Sequence, residues 1–466
     1  MCAAYQYGGP FASQAFADLE EFVETALDSS VEKDGEFESF ERDLHRRMMA
    51  LEAEVVKQWV GRYDVNAEEI DVGGDRFRRK GRFEKEYHAL SGTFVVERAI
   101  YVPRGGGRAV VPLEIRSGMV EGSWTPLLAR VMARTVASTT SREAAELFEE
   151  FGGATPSSSS LDRLPKQLSE MWEMQRKEFE TELREQETVP ESAVSVAVSL
   201  DGVQVPMKDG ERTEKRSRTD KRPQGPAGFR EVGCGTVSFF NVEGERLKTV
   251  RHARMPEYKK AELKRQLESE LESIFRIRPD LTLVSLADGA EDNWEFLSAL
   301  PAKLGVEESF EADDIFHVLG HVKKALDAYH GDGSADSKAA FEQMRVWLRE
   351  AEDGAMRVTR ALRYRRDNST GAKRAAIDKE VKFLEKRKHR LRYKELLDRA
   401  LPIGSGVVEA ACKTLASERM KRSGMRWGEE GGQAVLTLRS LIQSDRWQRG
   451  WDMLAAQYRC PVQVVA

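Results

Sequence analysis

The sequence has few cysteines, no long apolar run and no excess of basic residues. Its 466 residues include only Cys2, Cys234, Cys412 and Cys460, and none of them stands in a Cys-x-x-Cys pair. This spacing argues against a zinc ribbon and against a disulfide-stabilised secreted domain. No apolar stretch approaches the length of a membrane span, and the first residues lack a signal-peptide pattern. We therefore expect a cytoplasmic protein with no membrane partner.

The charges of the chain nearly balance. There are 73 Lys and Arg against 78 Asp and Glu, which gives a formal net charge of −5. A nucleic-acid partner would therefore have to bind local basic patches, since the overall charge does not favour it. The length is sufficient for two or three domains with substantial cores.

Three acidic residues stand where carboxylates from separate elements could meet. The run Ala193–Leu200 predicts a buried strand that ends at Asp201, and a second apolar run predicts a strand that ends at Asp288. Glu409 lies in a predicted helix that opens with an Ile-Gly-Ser-Gly-Val-Val segment. Such carboxylates can hold two divalent ions about 3.5–4 Å apart, as phosphoryl transfer requires. For either aspartate alone, an Asp-Gly turn after a strand is the alternative.

The elements between these carboxylates suggest a fold. Two further strands, Gly233–Phe240 and Leu247–Val250, and a helix at roughly 257 to 276 separate Asp201 from the next strand. The order strand, hairpin, helix, strand fits a mixed sheet of the ribonuclease-H type. The stretch from Asp288 to Glu409 is too long for a simple connection and has a helical period, which predicts an inserted helical domain.

Five segments carry a family resemblance. They are Ser199-Leu-Asp-Gly-Val203, Leu286-Ala-Asp-Gly-Ala290, Asp314-Ile-Phe-His-Val-Leu-Gly-His321, Ile403-Gly-Ser-Gly-Val-Val-Glu-Ala-Ala-Cys-Lys413 and Arg419-Met-Lys-Arg-Ser-Gly-Met-Arg-Trp427. Together they resemble the ISKra-type family of insertion-sequence transposases, which are DDE enzymes distantly similar to mutator-like transposases. The resemblance extends over about residues 120 to 450.

This resemblance implies a fold, a reaction and a set of partners. It implies a ribonuclease-H-like core with a helical insertion, and cutting and joining of DNA ends with two Mg²⁺ or Mn²⁺ ions. Asp201, Asp288 and Glu409 would be the catalytic residues and the metal ligands. The DNA partners would be the terminal inverted repeats of the element and a target DNA, bound by a homodimer or a larger oligomer associated with the nucleoid.

Residues 121–190 predict three helices in helix-turn-helix order, followed by a connector helix. Thr140 and Glu143 have the spacing of a capping box at the start of the second helix. Arg163 is expected to contact DNA from the start of the third helix, where Pro165 is compatible only if that helix begins late. A plain helical linker is the alternative for this region.

Basic residues near the carboxylates are further candidate DNA contacts. The segment 208–230 predicts a basic loop, for which a purely solvated loop is the alternative. The stretch 357–395 holds fifteen Lys or Arg against five Asp or Glu, and a helical hairpin with charged outer faces is its alternative. The candidates in these two segments and after Glu409 are Lys215, Arg216, Arg218, Lys221, Arg222, Lys386, Arg387, Lys388, Lys413, Arg419, Lys421 and Arg422.

His317 and His321 stand four residues apart on one face of a predicted helix. This spacing can bind zinc, but no third strong ligand stands nearby in the sequence. Asp314 and His317 also match an Asp-x-x-His motif that mutator-like relatives carry near the active site. We favour a hydrogen-bonded structural role or a DNA contact for His317, and metal binding stays open.

The sequence thus predicts an α/β plus α protein with a ribonuclease-H-like mixed-sheet core. Its predicted regions are an N-terminal α+β region (1–120), a helix-turn-helix region with a connector (121–190), the first part of the core (191–300), a helical insertion (301–400) and the C-terminal core helices (401–466). The predicted function is that of a DDE transposase. A ribonuclease-H-like nuclease without strand transfer and a transposase-derived DNA-binding regulator are the alternatives.

Overall fold

A computed structural model of the chain describes residues 14–28, 36–208 and 228–465. The chain divides into two compact units, one of residues 1–175 with 448–466 and one of residues 176–447. Lys215, Arg216, Arg218, Lys221 and Arg222 lie outside the described residues, so their contact with DNA stays a prediction. Within the described ranges, no helix combines the length and the apolar character needed to cross a membrane.

The first unit contains an antiparallel sheet and a set of helices. The strands are β1 (Glu69–Val72), β2 (Asp75–Ala89), β3 (Gly92–Pro103) and β9 (Val462–Val464), in the order β3-β2-β1-β9. The helices are α1 (Gln14–Asp28), α2 (Glu36–Gly61), α3 (Pro112–Ser117), α4 (Pro126–Ser138), α5 (Ser141–Glu150), α6 (Ser158–Met174) and α18 (Trp447–Ala456). Because Val464 pairs with Ile70, the end of the chain belongs to this sheet and not to the core where the sequence placed it.

The three helices α4, α5 and α6 follow one another as predicted. The capping box is confirmed, since the Thr140 hydroxyl accepts a hydrogen bond from the Glu143 amide and the Glu143 carboxylate accepts one from the Thr140 amide. The helix α6 begins at Ser158 and contains Pro165, so the condition that this helix must begin late to accommodate the proline is not met. Leu161, Leu168 and their helical neighbours are buried, and this packing outweighs the missing amide of the proline.

The second unit contains a mixed sheet and the remaining helices. The strands are β4 (Ser195–Pro206), β5 (Phe229–Phe240), β6 (Arg246–Arg254), β7 (Thr282–Ala287) and β8 (Ser309–Asp313), in the order β6-β5-β4-β7-β8. The helices are α7 (Arg176–Glu185), α8 (Ala261–Ile277), α9 (Glu291–Leu304), α10 (Ile315–His330), α11 (Ala335–Glu350), α12 (Gly354–Asp367), α13 (Gly371–Arg387), α14 (Tyr393–Asp398), α15 (Gly406–Ala411), α16 (Glu418–Met420) and α17 (Glu429–Gln443). A π-helical segment, Cys412–Ser417, joins α15 to α16.

The central strand β4 buries both of its faces. Val196, Val198 and Leu200 pack in one core with residues of α8 and α9, whereas Ala197 packs in a second core with residues of α10 to α14. This alternation is the period of two that a strand imposes on its side chains. Farther along β4, Val205 packs with residues of α15, the π-helical segment and α17. Asp201 therefore belongs to the face of the sheet that α15 covers.

Two features of this sheet differ from the sequence prediction. The strand β4 does not end at Asp201 but continues to Pro206, paired with β5 along its length. The strand β8 lies inside the stretch 301–400 that was predicted to be helical, and it pairs in parallel with β7. Only Phe310 and Ala312 give this five-residue strand apolar character.

An arginine, two carboxylates and a histidine pack together in the second unit. Arg446 is 3% exposed and donates two hydrogen bonds, of 2.6 and 2.8 Å, to the carboxylate of Glu270. Arg446 also binds Glu187, and His252 lies 3.1 Å from Glu270. Burial alone would raise the pKa of Glu270, but Arg446 and His252 hold it well below its ordinary value. The network therefore keeps Glu270 ionised in the folded protein.

The substitution Arg446→Met should destabilise the second unit by about 3–5 kcal/mol, because it leaves a buried carboxylate without its partner. The double variant Arg446→Met with Glu270→Gln should regain part of this loss, since it removes the unpaired charge. Urea unfolding followed by tryptophan fluorescence measures both. If the double variant is as unstable as the single one, the unpaired charge of Glu270 is not the cause of the lost stability.

Candidate active site

Asp201 and Asp288 lie where the parallel pairing of β4 with β7 ends. The strands β4 and β7 run in parallel, and their last paired residues are Leu200 and Ala287. Each aspartate is the residue that follows this pair. Burial raises the pKa of Asp201 above its ordinary value, and the negative charge of Asp288 raises it further. The structure therefore brings these two predicted residues together.

The glycine after each aspartate lies against a neighbouring charged side chain. A Cβ atom on Gly202 would collide with the carboxylate of Glu231, and one on Gly289 would lie 2.8 Å from Nη2 of Arg387. Asp201 and Gly202 stand within β4, so the turn interpretation does not hold for them. The Asp-Gly pairs place two carboxylates where neighbouring side chains come very near the backbone.

Glu409 is exposed on α15, and this short helix passes beside Asp201. Cys412 stands three residues after Glu409, and its Sγ lies 3.7 Å from Oδ2 of Asp201. The π-helical segment that begins at Cys412 is a form often found at functional sites. Among the described residues, no group of three or more His, Cys, Asp or Glu side chains has the geometry of a metal site. Glu409 therefore lies about one helical turn before a residue that contacts Asp201, and it does not complete a three-residue cluster with the two aspartates among the described residues.

Asp314 ties α15 to the end of β8. One of its carboxylate oxygens accepts a hydrogen bond of 2.8 Å from the His317 amide and caps α10. The other accepts hydrogen bonds from the amide and the hydroxyl of Ser405, the residue before α15. The Ile315 amide also donates to the Ile403 carbonyl. The Gly-Ser-Gly segment is therefore held by a buried carboxylate at the start of α10.

Asp313 was missed as a site residue by the sequence prediction. It ends β8 opposite Ala287 and is fully buried, with Oδ1 accepting a hydrogen bond of 3.0 Å from the Trp294 indole. Burial raises its pKa to about 6, although the nearby Arg387 acts in the opposite direction. Arg387 Nε lies 3.8 Å from its Oδ2, and Arg387 Nη2 donates to the Gly289 carbonyl at 2.6 Å. The pair thus braces the loop that carries Asp288.

Lys260 is a second residue that sequence analysis missed. Its Nζ lies 2.6 Å from a carboxylate oxygen of Glu231, and its positive charge acts to lower the pKa of Asp201. Lys259 and Lys260 both have left-handed backbone angles, with φ of 52° and 53°. Such strain in residues other than glycine is often found at functional sites. Nothing in the local sequence distinguished these lysines from other basic residues.

The candidate DNA-binding residues occupy different environments. Lys386, Lys388, Lys413 and Lys421 are exposed, as is His317 on α10. Arg419 is only 4% exposed, and its guanidinium lies 4.9 Å from the ring centre of Trp427. Arg422 is half-buried and donates to the Glu418 carbonyl. Arg163 is exposed and lines a groove of about 730 Å³ in the first unit.

The basic stretch 357–395 is largely neutralised within the protein. Most of its Lys and Arg side chains form ion pairs with acidic side chains, such as Arg363 with Glu385 and Lys386 with Glu291. Exposed pairs of this kind contribute little stability, so they can exchange a carboxylate for a phosphate.

The chain matches no protein-family model and no curated protein. Its chemistry must therefore be inferred from this site.

The substitution Asp313→Asn should change how stability depends on pH. Between the ordinary pKa of 3.8 and the folded value of about 6, the folded protein keeps the Asp313 proton that the unfolded chain loses. This group therefore contributes stability at low pH that is lost as pH rises through the window, by up to about 3 kcal/mol.

Urea unfolding of both proteins in EDTA, from about pH 4 to about pH 7, tests this expectation. The free energy of unfolding of the wild type, relative to that of the variant, should fall as pH rises, because the asparagine side chain of the variant has no proton to lose. A difference that stays constant over this range would contradict it.

Proposed function

We propose that this protein is a DDE transposase, which cuts DNA at the ends of its element and joins them to a target. The observation that carries the proposal is the placement of Asp201 and Asp288 directly after the last parallel pair of two neighbouring strands. The strand order β6-β5-β4-β7-β8, with β4 to β6 antiparallel and β7 and β8 parallel to β4, is the one expected of a ribonuclease-H-like core. It supports the family resemblance.

The two aspartates fit a site for hard divalent cations. Burial and the charge of Asp288 both disfavour ionised Asp201, and a bound cation would relieve this cost. Asp201 and Asp288 would hold Mg²⁺ or Mn²⁺ through their oxygens, with Glu409 as the third ligand. Ions held there would supply Lewis-acid activation of water and then of a 3′-hydroxyl, and would stabilise charge on the leaving oxygen.

Other residues of the site hold the helix that carries Glu409 or supply positive charge. Asp314 and Ser405 fix the start of α15, the helix that carries Glu409. Lys260 supplies a positive charge beside the carboxylates, and Lys413, one turn after Glu409, supplies an exposed one. These ammonium groups would stabilise charge on a phosphodiester as it reacts.

The DNA ends would be recognised in the first unit. The exposed Arg163 stands near the start of α6, and Ser157, Ser160 and Gln167 line the same groove. Arginine together with serine and amide side chains can contact phosphates and base edges. We assign end recognition to this helix and non-specific contact to the basic side chains of the second unit, in a homodimer or a larger oligomer.

One observation favours the regulator that lacks catalysis. Glu409 does not join Asp201 and Asp288 in a three-residue cluster among the described residues. A regulator would bind element ends and leave them uncut in Mg²⁺ or Mn²⁺. A nuclease would cut them without joining. Both are possible outcomes of the experiment below.

The substitutions Asp201→Asn and Glu409→Gln should each lower cleavage and joining of labelled element ends at least 100-fold, because each removes a charge from the metal site. Binding of the ends should survive, since α6 is unchanged. Glu430→Gln, an exposed residue at the start of α17, is the matched control and should leave all three activities unchanged. If either site variant joins ends at nearly the wild-type rate, that residue is not a metal ligand.

The double substitution Lys386→Gln with Lys388→Gln should weaken DNA binding regardless of sequence. If each lysine contacts one phosphate, the slope of log K against log salt should become less steep by about 1.8. Arg387 is left in place because it braces Gly289 and Asp313. DNA-binding titrations at several salt concentrations measure the slope. An unchanged slope would show that these lysines are exposed to solvent and do not contact DNA.

A further inference from the structure

His317 and His321 form a close pair on the first turns of α10. Their Nε2 atoms lie 3.2 Å apart, and their ring centres are 4.8 Å apart. Metal–nitrogen bonds of about 2.1 Å at a tetrahedral angle place two ligand nitrogens roughly 3.4 Å apart. The two imidazoles therefore already have the separation of ligands to one metal ion.

The orientation of His321 is fixed from α13. Its Nδ1 is hydrogen-bonded to Glu380, which is 5% exposed, and its ring stacks on Phe383 with centres 3.6 Å apart and planes at 12°. Because Nδ1–H donates to the carboxylate, Nε2 carries the lone pair, and His317 Nε2–H donates to it. A carboxylate behind a histidine in this way is the usual support of a metal-ligating imidazole.

We propose that His317 and His321 bind a transition-metal ion of the zinc class, with Glu380 orienting His321 from behind. Binding needs only a change of tautomer at His317, whose proton moves from Nε2 to Nδ1 through solvent. The described residues offer no third protein ligand, so water or an exogenous ligand fills the other positions. His317 is exposed, which gives the ion a route to the site.

This site differs in chemistry from the aspartate pair. Imidazole nitrogens select Zn²⁺, Co²⁺, Ni²⁺ or Cu²⁺, whereas carboxylates select Mg²⁺ or Mn²⁺. The proposal does not depend on the proposed transposase activity, because it uses none of Asp201, Asp288 and Glu409. An excess of Mg²⁺ can therefore occupy the carboxylates while the histidines are titrated.

Two measurements on the tag-free full chain test the proposal. Calorimetric titration with Zn²⁺ in excess Mg²⁺ should show one site, and His317→Ala should raise its Kd at least tenfold. Electron paramagnetic resonance of one bound Cu²⁺ should show coupling to two nitrogens, and His317→Ala should reduce this to one. His317 is exposed, so its replacement should not disturb folding, which circular dichroism checks.

Two further variants test whether Glu380 supports Zn²⁺ binding and whether the loss of any histidine weakens it. Glu380→Gln should weaken Zn²⁺ binding about 10–100-fold while two-nitrogen coupling persists, because Glu380 orients a ligand and is not one. His389→Ala, at an exposed histidine outside α10, should change nothing. Equal Zn²⁺ affinity in the wild type and in His317→Ala, or a copper spectrum without two nitrogens in the wild type, would overturn the proposal.

Discussion

The parallel pairing of β4 with β7 is the constraint on which the candidate active site depends. It ends at Leu200 and Ala287, so Asp201, within β4, and Asp288, just after β7, both come directly after the last parallel pair. The pairing places two negative charges close together, which raises the pKa of Asp201 beyond the effect of burial. A divalent cation is the simplest group that would balance them.

A second layer of contacts holds the flanking segments against this edge. Asp314 binds the amide and the hydroxyl of Ser405 and so fixes the start of the helix that carries Glu409. Arg387 lies between Asp313 and the Gly289 carbonyl and fixes the loop after Asp288. Both devices use residues of the helical segment that follows β8. The helices inserted between Asp288 and Glu409 therefore hold in place the segments that carry these two residues.

The sequence predicted the elements with strong local signals. The alternating apolar runs indicated β4 and β7, and the spacing of Thr140 and Glu143 indicated the capping box. The strand β8 was missed because five residues with two apolar side chains have too little periodicity to detect. Arg387 resembled one more residue of a basic run, because its partner Asp313 is distant in sequence. Local patterns do not reveal such long-range pairs.

The most direct test of the central claim is anomalous diffraction from crystals of the protein grown with Mn²⁺. The account predicts an anomalous peak within bonding distance of carboxylate oxygens of both Asp201 and Asp288, and loss of that peak in Asp201→Asn. A fully loaded crystal with Mn²⁺ elsewhere and no peak between these two aspartates would contradict it.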